Sequence, residues 1–494
     1  MNSKVLLITV LLIIGSNSVF SQKPNVIYIF TDDQSIRTLA TYNASQEWVR
    51  TPNIDKLANE GVQFNYCYTG AKCVPSRGNA LTGQLQFNFS KETPYWQEEF
   101  RRQGYYTGMV GKWHWTLPRH DKAWDWSAVW EHYLPENIVN YYWGQKLRIN
   151  GDSLVELNGY STDRYTDYAV EFIHERANNK NKPWFFWLCY GGVHAPYTPA
   201  ERHLQMYQEE SEVEIPCDVF GPRPDKPEYM HNLTMWGKDS LNQPIYRKRS
   251  LDSWVKQYNQ AVQSIDEGVG RIRAALEETG QLDNTIIIFT SDNGFAWGQH
   301  GFRLKIAPYD ANLLTPLIVY KPNSFPKGKV NCPVNGVDII KTIHSLCNVT
   351  PDNKLDGNDF SEILMNNERD KYDDKPMIQI YLGLIYGGQN MLISELEKAN
   401  ETGNWEKFIT HKTGIRAWMM MRKGQFKYIR YIYPDYIEEL YDMKSDPKEL
   451  TNLAVDGSYR HTLEQYRKET LELFKNKGAK FIDLLPKPKI VNYK

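Results

Sequence analysis

The sequence has no excess of either charge. Its 58 Lys and Arg against 59 Asp and Glu leave a formal net charge of −1, which argues against the broad basic surface that nucleic-acid binding needs. Beyond the first residues it has no long apolar run, so no membrane-spanning helix is expected. It also lacks internal repeats and a low-complexity linker. The six cysteines are Cys67, Cys73, Cys189, Cys217, Cys332 and Cys347, and their spacing matches no zinc-binding pattern. Cys332 and Cys347 are one candidate disulfide pair, since an exported protein permits disulfides, but sequence alone leaves the connectivity open.

What is present begins with an export signal. Lys4 supplies a positive charge, and Val5 to Ile14 is an apolar run too short to cross a bilayer. Val19-Phe20-Ser21 offers small residues at the outer positions of a cleavage site. Residues 1–21 are therefore read as a signal peptide, with no cysteine following for lipid attachment, and the mature chain is expected to be periplasmic or secreted. At 494 residues the chain is too long for one small core. Its 15 Trp and 32 Tyr are flat amphipathic rings, suited to sugar stacking as well as to core packing.

Continuous apolar runs of strand length recur along the chain: Asn25 to Phe30, Trp184 to Cys189, Thr285 to Thr290 and Pro316 to Tyr320. Helical patterns lie between them, opening at Thr51-Pro52 and covering Asp163 to Ala177 and Ser253 to Thr279. Runs without polar alternation read as strands buried on both faces. The fold class expected is α/β, a large mainly parallel sheet sandwiched by helices over residues 22–365. Residues 366–494 change character and read as a smaller α+β domain, with a hairpin at Lys423-Gly424 and a charged helix from about Tyr459 to Lys475.

The most informative segment is Cys73-Val74-Pro75-Ser76-Arg77-Gly78-Asn79-Ala80-Leu81-Thr82-Gly83. It resembles the signature of the type I, formylglycine-dependent sulfatases of the alkaline phosphatase-like superfamily at every fixed position. The resemblance extends from Asn25 to about Leu453. Its late part is Glu439-Leu440-Tyr441-Asp442 through Asp446-Pro447, then Asn452-Leu453. It implies that Cys73 is oxidised to Cα-formylglycine by a dedicated maturation enzyme.

Asp32 and Asp33 follow the first strand, and Asp292 and Asn293 follow the strand ending at Thr290. Ligands of open α/β sheets gather at such strand ends. An all-oxygen set favours Ca²⁺ or Mg²⁺ over zinc, and the resemblance implies one Ca²⁺ beside residue 73. Taken alone, an Asp after a strand is more often a helix cap or turn residue; two such pairs, both matching the family pattern, reverse that weighting. Gly111-Lys112-Trp113-His114, His194-Ala195-Pro196 and Lys305 resemble further family elements. They imply Lys112, His114, His194 and Lys305 as catalytic residues with Cys73 and Arg77, of which Lys112, His194 and Lys305 also bind substrate. His300 reads as a supporting group.

The chemistry explains these residue types. A sulfate monoester has a poor leaving group, so the nucleophile must be potent and held in line. A hydrated formylglycine offers two geminal hydroxyls, one activated by the metal for attack on sulfur. The family pattern implies that Arg77 and Lys112 stabilise the charge near the nucleophile. Lys112 and Lys305 neutralise the sulfonate oxygens, His194 protonates the departing oxygen, and His114 takes a proton from the second hydroxyl. The expected substrate is a sulfated carbohydrate, an algal polysaccharide such as ulvan or carrageenan or a glycosaminoglycan. Residues between Trp113 and Trp143, with Trp115 and His120 foremost, read either as sugar subsites or as a self-packed aromatic insertion. A phosphomonoester or phosphonate monoester hydrolase, and a catalytically silent glycan-binding protein, are the competing readings.

Overall fold

The computed structural model describes residues 23–114, 123–132, 141–179, 182–383, 388–408, 413–434 and 436–489. The expected signal peptide, Trp115 and His120 lie outside these residues.

Strand β1 (Asn25–Thr31) is buried along its whole length. Its side chains divide by the period of two: Ile27 and Ile29 enter one hydrophobic core, Val26, Tyr28 and Phe30 the other. A strand with a core on each face has no place for polar alternation, which is why its sequence reads as an unbroken apolar run. The remaining strands are β2 (Val62–Tyr68), β3 (Tyr106–Trp113), β4 (Trp126–Glu131), β5 (Lys146–Ile149), β6 (Ser153–Glu156), β7 (Trp184–Cys189), β8 (Gly237–Lys238), β9 (Pro244–Tyr246), β10 (Arg249–Ser250), β11 (Thr285–Ser291), β12 (Thr315–Tyr320), β13 (Gly328–Val330), β14 (Val334–Asn335), β15 (Met377–Tyr381), β16 (Trp418–Lys423), β17 (Phe426–Tyr431) and β18 (Glu439–Asp442).

The main sheet has the order β13-β2-β12-β11-β1-β7-β3-β4-β5-β6, with β14 beside β2. Its centre, β11-β1-β7-β3-β4, is parallel. Strand β12 runs antiparallel to both neighbours, as do β5 and β6 at the far edge. Helices 52–60, 161–177 and 251–278 supply Ile54, Leu57, Tyr165, Phe172, Trp254 and Ile265 to one core. Helices 73–82, 97–102 and 336–347 supply Leu81, Phe100, Ile339 and Ile343 to the other. The sheet is therefore sandwiched by helices, as expected.

In the C-terminal part, β15 to β18 form an antiparallel sheet in sequence order. The expected hairpin turns at Gly424, whose φ of 52° suits glycine. Helix 460–476 lays Leu463, Tyr466 and Phe474 on this sheet. The motif around Asp446 also has a local purpose: Asn452 Oδ1 accepts from Leu440 N at 3.0 Å and tethers the following loop to β18. A buried ionic cluster joins the two sheets. Asp310 accepts from Tyr68 Oη at 2.8 Å and from Arg422 Nη1 and Lys427 Nζ at 2.7 Å, and Lys427 pairs with Glu449 at 2.8 Å.

All six cysteines are free thiols. The candidate Cys332–Cys347 bridge is not formed. Cys347 ends helix 336–347 inside the core, while Cys332 faces the carbonyl of Pro333 at 3.8 Å. Burial pushes both thiols up to about 12, so these buried cysteines pack as small apolar groups.

Candidate active site

Two neighbouring strands of the parallel sheet deliver the acidic half of the site. Strand β1 ends in Thr31 and hands on Asp32 and Asp33, and β11 ends in Ser291 and hands on Asp292 and Asn293. Strands β1 and β11 pair in register, Thr31 opposite Ser291, so both acidic pairs leave the sheet at one point. Asp33 has a φ of 59°, a left-handed conformation that Asp tolerates better than most residues. The bend is held by Asp33 N donating to Asp292 Oδ1 at 3.1 Å, by Gln34 N donating to Ser291 Oγ at 2.9 Å, and by Tyr258 Oη donating to Asp33 O.

Cys73 opens helix 73–82. Pro75 sits in its first turn, where no N–H is required. Ser76 Oγ donates to the Lys72 carbonyl at 2.7 Å, and the helix ends on Gly83 at a φ of 67°. Gly70 lies where any Cβ would collide with the Ser76 side chain. Ala80 and Leu81 face the core, and Arg77, 1% exposed, points into the site. Thus the motif encodes a capped, buried helix whose N-terminal end carries the thiol, and that end favours anions.

The side chains converge as follows. One ligand atom each from Asp32, Cys73 and Asp292 lies within 4.8 Å of the others. Arg77 clamps Asp292, with Nη2 and Nε at 3.0 and 3.2 Å from Oδ2, and donates from Nη1 to the Lys112 carbonyl at 3.1 Å. Lys112 pairs with Asp32 Oδ2, and Lys305 pairs with Asp33 Oδ1 while standing 3.3 Å from Cys73 Sγ. Gly111, at a φ of 105°, precedes Lys112 where a Cβ would overlap the Cys189 carbonyl, so the glycine lets β3 pass β7 closely. His194 Nε2 lies 3.7 Å from Asp33 Oδ2, and its Nδ1 is within 3.0 Å of Ala195 O.

The charges of the site are matched, but its donor oxygens are not all satisfied. Three buried carboxylates, Asp32, Asp33 and Asp292, face three buried cations, Arg77, Lys112 and Lys305. Burial and the neighbouring Asp32 push the Asp292 carboxyl up to about 7, against the pull of Arg77. Burial works to raise Asp32 too, but Lys112, His194, Arg77 and Lys305 hold it well below the usual carboxylate range. Two buried oxygens, Asp32 Oδ1 and Asn293 Oδ1, have no hydrogen-bond partner among the described residues. Orphaned oxygens beside crowded carboxylates fit a hard divalent cation. Asp33 is less free: Asn293 Nδ2 donates to its Oδ1 at 2.8 Å, beside Lys305.

The two histidines stand on the β3–β7 side. Burial lowers His194, with Asp33 and Asp32 opposing. Burial, Lys112 and His132 hold His114 well below the usual histidine value. His300 turns away to Asp218, 2.7 Å from its Nδ1, and lies tilted against the Tyr309 ring, so it belongs to a neighbouring polar cluster. Tyr258, which fixes the Asp33 bend, was not foreseen, because a tyrosine within helix 251–278 carries no motif. Tyr141 and His132 were foreseen only as members of an aromatic stretch. They stand beside Lys112 and His194.

Residues 24–349 match the sulfatase family model. The N-acetylglucosamine-6-O-sulfatase of Bacteroides thetaiotaomicron is 27% identical over 92% of this chain and 88% of its own length. A protein solved in complex with its substrate D-glucosamine-2-N,6-O-disulfate superposes with a TM-score of 0.73 at 24% identity, over 92% of this chain and 99% of that one. The phosphonate monoester hydrolase of Silicibacter pomeroyi superposes with a TM-score of 0.70 at 20% identity, over 92% of this chain and 96% of that one.

Proposed function

The chain belongs to the sulfatase family and is a sulfuric ester hydrolase, and we propose that it removes sulfate from a carbohydrate through a formylglycine made from Cys73. The observation that carries this is the seat of Cys73: first residue of a buried helix, 3.3 Å from Lys305, within ligand distance of Asp32 and Asp292. The Cys73 thiol marks where the aldehyde hydrate of the matured residue stands.

Asp32, Asp33, Asp292 and Asn293, with residue 73, would hold one Ca²⁺. When bound, such a cation lowers the pKa of a hydroxyl on residue 73 and offsets charge on the sulfonate. The remaining roles belong to the side chains. Arg77 fixes Asp292 and backs the nucleophile, and Lys112 and Lys305 neutralise the sulfonate oxygens as charge builds. The Ala195 carbonyl can only accept, so His194 Nδ1 holds a proton; as the acid the ring is imidazolium, favoured by Asp33 at 3.7 Å, and the second proton, on Nε2, goes to the departing oxygen. His114 follows the end of β3, two residues after Lys112, is held neutral by its surroundings, and accepts a proton in the second half-reaction.

A carbohydrate substrate is supported by the relative that acts on N-acetylglucosamine-6-O-sulfate and by the neighbour solved with a disulfated glucosamine. An aminosugar sulfate of the glycosaminoglycan type fits these best, and algal glycans such as ulvan or carrageenan remain within the class. Export through residues 1–21 to the periplasm or medium, and maturation by a formylglycine-generating enzyme, complete the reading. Among the described residues no helix is long and apolar enough to cross a membrane. A catalytically silent glycan binder has no need of six buried charges around one thiol, and the assembled set of side chains opposes that reading.

Phosphonate monoester hydrolysis is the second reading, because that enzyme's fold is nearly as similar. The test is a comparison of kcat/KM on p-nitrophenyl sulfate and phenyl phosphonate esters, followed by desulfation of defined sulfated oligosaccharides. The proposal expects sulfate esters to be preferred and one sugar position to dominate. A preference for phosphonate esters would overturn it.

A further inference from the structure

Tyr141 is fixed at both ends. Its carbonyl accepts from Gln145 Nε2 at 2.8 Å and from Ser161 Oγ at 2.9 Å. Its buried ring lies flat on the His194 imidazole, with centroids 4.2 Å apart and planes within 4°. Its hydroxyl accepts from Lys112 Nζ at 3.2 Å and lies 3.0 Å from His132 Nε2. Burial and Lys112 keep His132 neutral, its value pushed down to about 3, so Nε2 can accept the tyrosine proton. His132 in turn stands edge-on to His114, with ring centroids 4.7 Å apart.

One side chain therefore touches the leaving-group histidine with its face and the sulfate-binding lysine with its hydroxyl. Through His132 it also reaches the second histidine. His194 has few other restraints on its ring plane. Nδ1 meets the Ala195 carbonyl, Tyr142 Oη donates to the His194 carbonyl at 2.6 Å, and Nε2 faces the site. A single hydrogen bond at Nδ1 lets the ring tilt about that contact, whereas a flat neighbour at van der Waals distance removes the tilt.

From this geometry we infer that Tyr141, buttressed by His132, is a positioning residue that sets the plane of His194 and so aims Nε2 at the departing oxygen. The inference rests on the reading of His194 as the acid. General acid catalysis depends on placing the proton within hydrogen-bond reach of the leaving atom. Loss of the aromatic face should therefore harm only esters whose leaving group needs that proton. Loss of the hydroxyl alone should leave the plane of His194 intact and loosen Lys112, which every sulfate ester uses.

The test measures kcat/KM of the matured holoenzyme on N-acetylglucosamine 6-sulfate and on p-nitrophenyl sulfate, and follows their ratio. Tyr141→Leu is expected to lower the sugar-to-aryl ratio by roughly 10-fold or more, a fraction of the 10²–10⁴-fold that a general acid supplies. Tyr141→Phe is expected to slow both substrates together and hold the ratio within about 2-fold of wild type, since the stacked ring remains. In a His194→Ala background, Tyr141→Leu is expected to change the ratio no further. A merely structural tyrosine would lower both rates alike, and that result for a Tyr141→Leu variant that keeps its thermal transition would overturn the inference. If Tyr141→Leu does not fold, Tyr141→Phe decides: a ratio shifted as far as in His194→Ala would overturn it equally. If His194→Ala itself leaves the ratio unchanged, the acid assignment falls and takes this inference with it. A selective His194→Ala beside an unselective Tyr141→Leu removes Tyr141 alone.

Discussion

Affinity for the proposed divalent cation should depend on pH through Asp292. Without a cation, burial and the nearby Asp32 keep its carboxyl protonated up to about 7. A cation needs the carboxylate, so binding must expel that proton at any pH below this value. Above about pH 8 the affinity should be flat. Below 7 it should fall about tenfold per unit, or roughly 100-fold between pH 8 and 5. The sign also follows for stability. Asp292 has its folded value raised, so the metal-free fold binds more protons than the unfolded chain between about pH 4 and 7, and this carboxyl costs stability as pH rises through that window. A bound cation cancels the trend, because it holds Asp292 deprotonated as it is in the unfolded chain. At a free concentration of 1,000 times the pH 8 dissociation constant it stabilises by about 4 kcal/mol at pH 8, and at the same concentration by about 1.4 kcal/mol at pH 5. Calorimetric titration in two buffers of different ionisation enthalpy counts the protons released, and thermal melts with and without chelator give the stability. Asp292→Asn should bind more weakly and lose the pH dependence. An affinity that stays constant from pH 5 to 8, or binding without proton release, would refute the reasoning.

Other outcomes follow from the same geometry. His194→Ala should slow sugar desulfation on the order of 10²–10⁴-fold while sparing an activated aryl ester much of its rate, as steady-state kinetics on both will read. His114→Ala should leave the first half-reaction intact and slow the second, so stopped-flow should show a burst of p-nitrophenol followed by slow turnover; a strictly linear trace would remove His114 from that step. Arg422→Met breaks the buried pair with Asp310 and leaves a carboxylate short of a partner. It should destabilise the protein by about 3–5 kcal/mol in denaturant unfolding.

The strands were legible because β1, β7 and β11 each have a core on both faces, and unbroken apolar runs have few other uses at that length. The direction of β12 was not legible. Thr315-Pro316-Leu317-Ile318-Val319 reads like any buried strand, and only its pairing with β2 and β11 makes it antiparallel. Strands β2 and β3 escaped notice because polar residues and glycines interrupt them: Gln63 and Asn65 in one, Gly108, Gly111 and Lys112 in the other. In β3 the interruption is the site's own requirement, since Lys112 must leave the core pattern to meet Asp32. Cys73, Arg77 and the strand-end acids were legible because each sits in a short contiguous motif. Tyr258 and the Tyr141–His132 pair were not, because their roles exist only through contacts across the fold. Tyr258 reaches Asp33 over 225 positions of sequence, a distance no local spacing can encode.

The most direct test of the central claim follows the state of residue 73 together with sulfate release. Enzyme is produced with and without a co-expressed formylglycine-generating enzyme. The peptide spanning residue 73 is weighed for conversion of CH₂SH to CHO, a loss of sulfur and of two hydrogens with gain of one oxygen, and sulfate freed from N-acetylglucosamine 6-sulfate is measured on the same samples. The turnover rate should rise in proportion to the converted fraction, vanish in Cys73→Ala, and be nearly absent over many turnovers in Cys73→Ser, whose sulfate ester has no internal route to collapse. Steady sulfate release from protein whose residue 73 is entirely unconverted, or from Cys73→Ala, would contradict it.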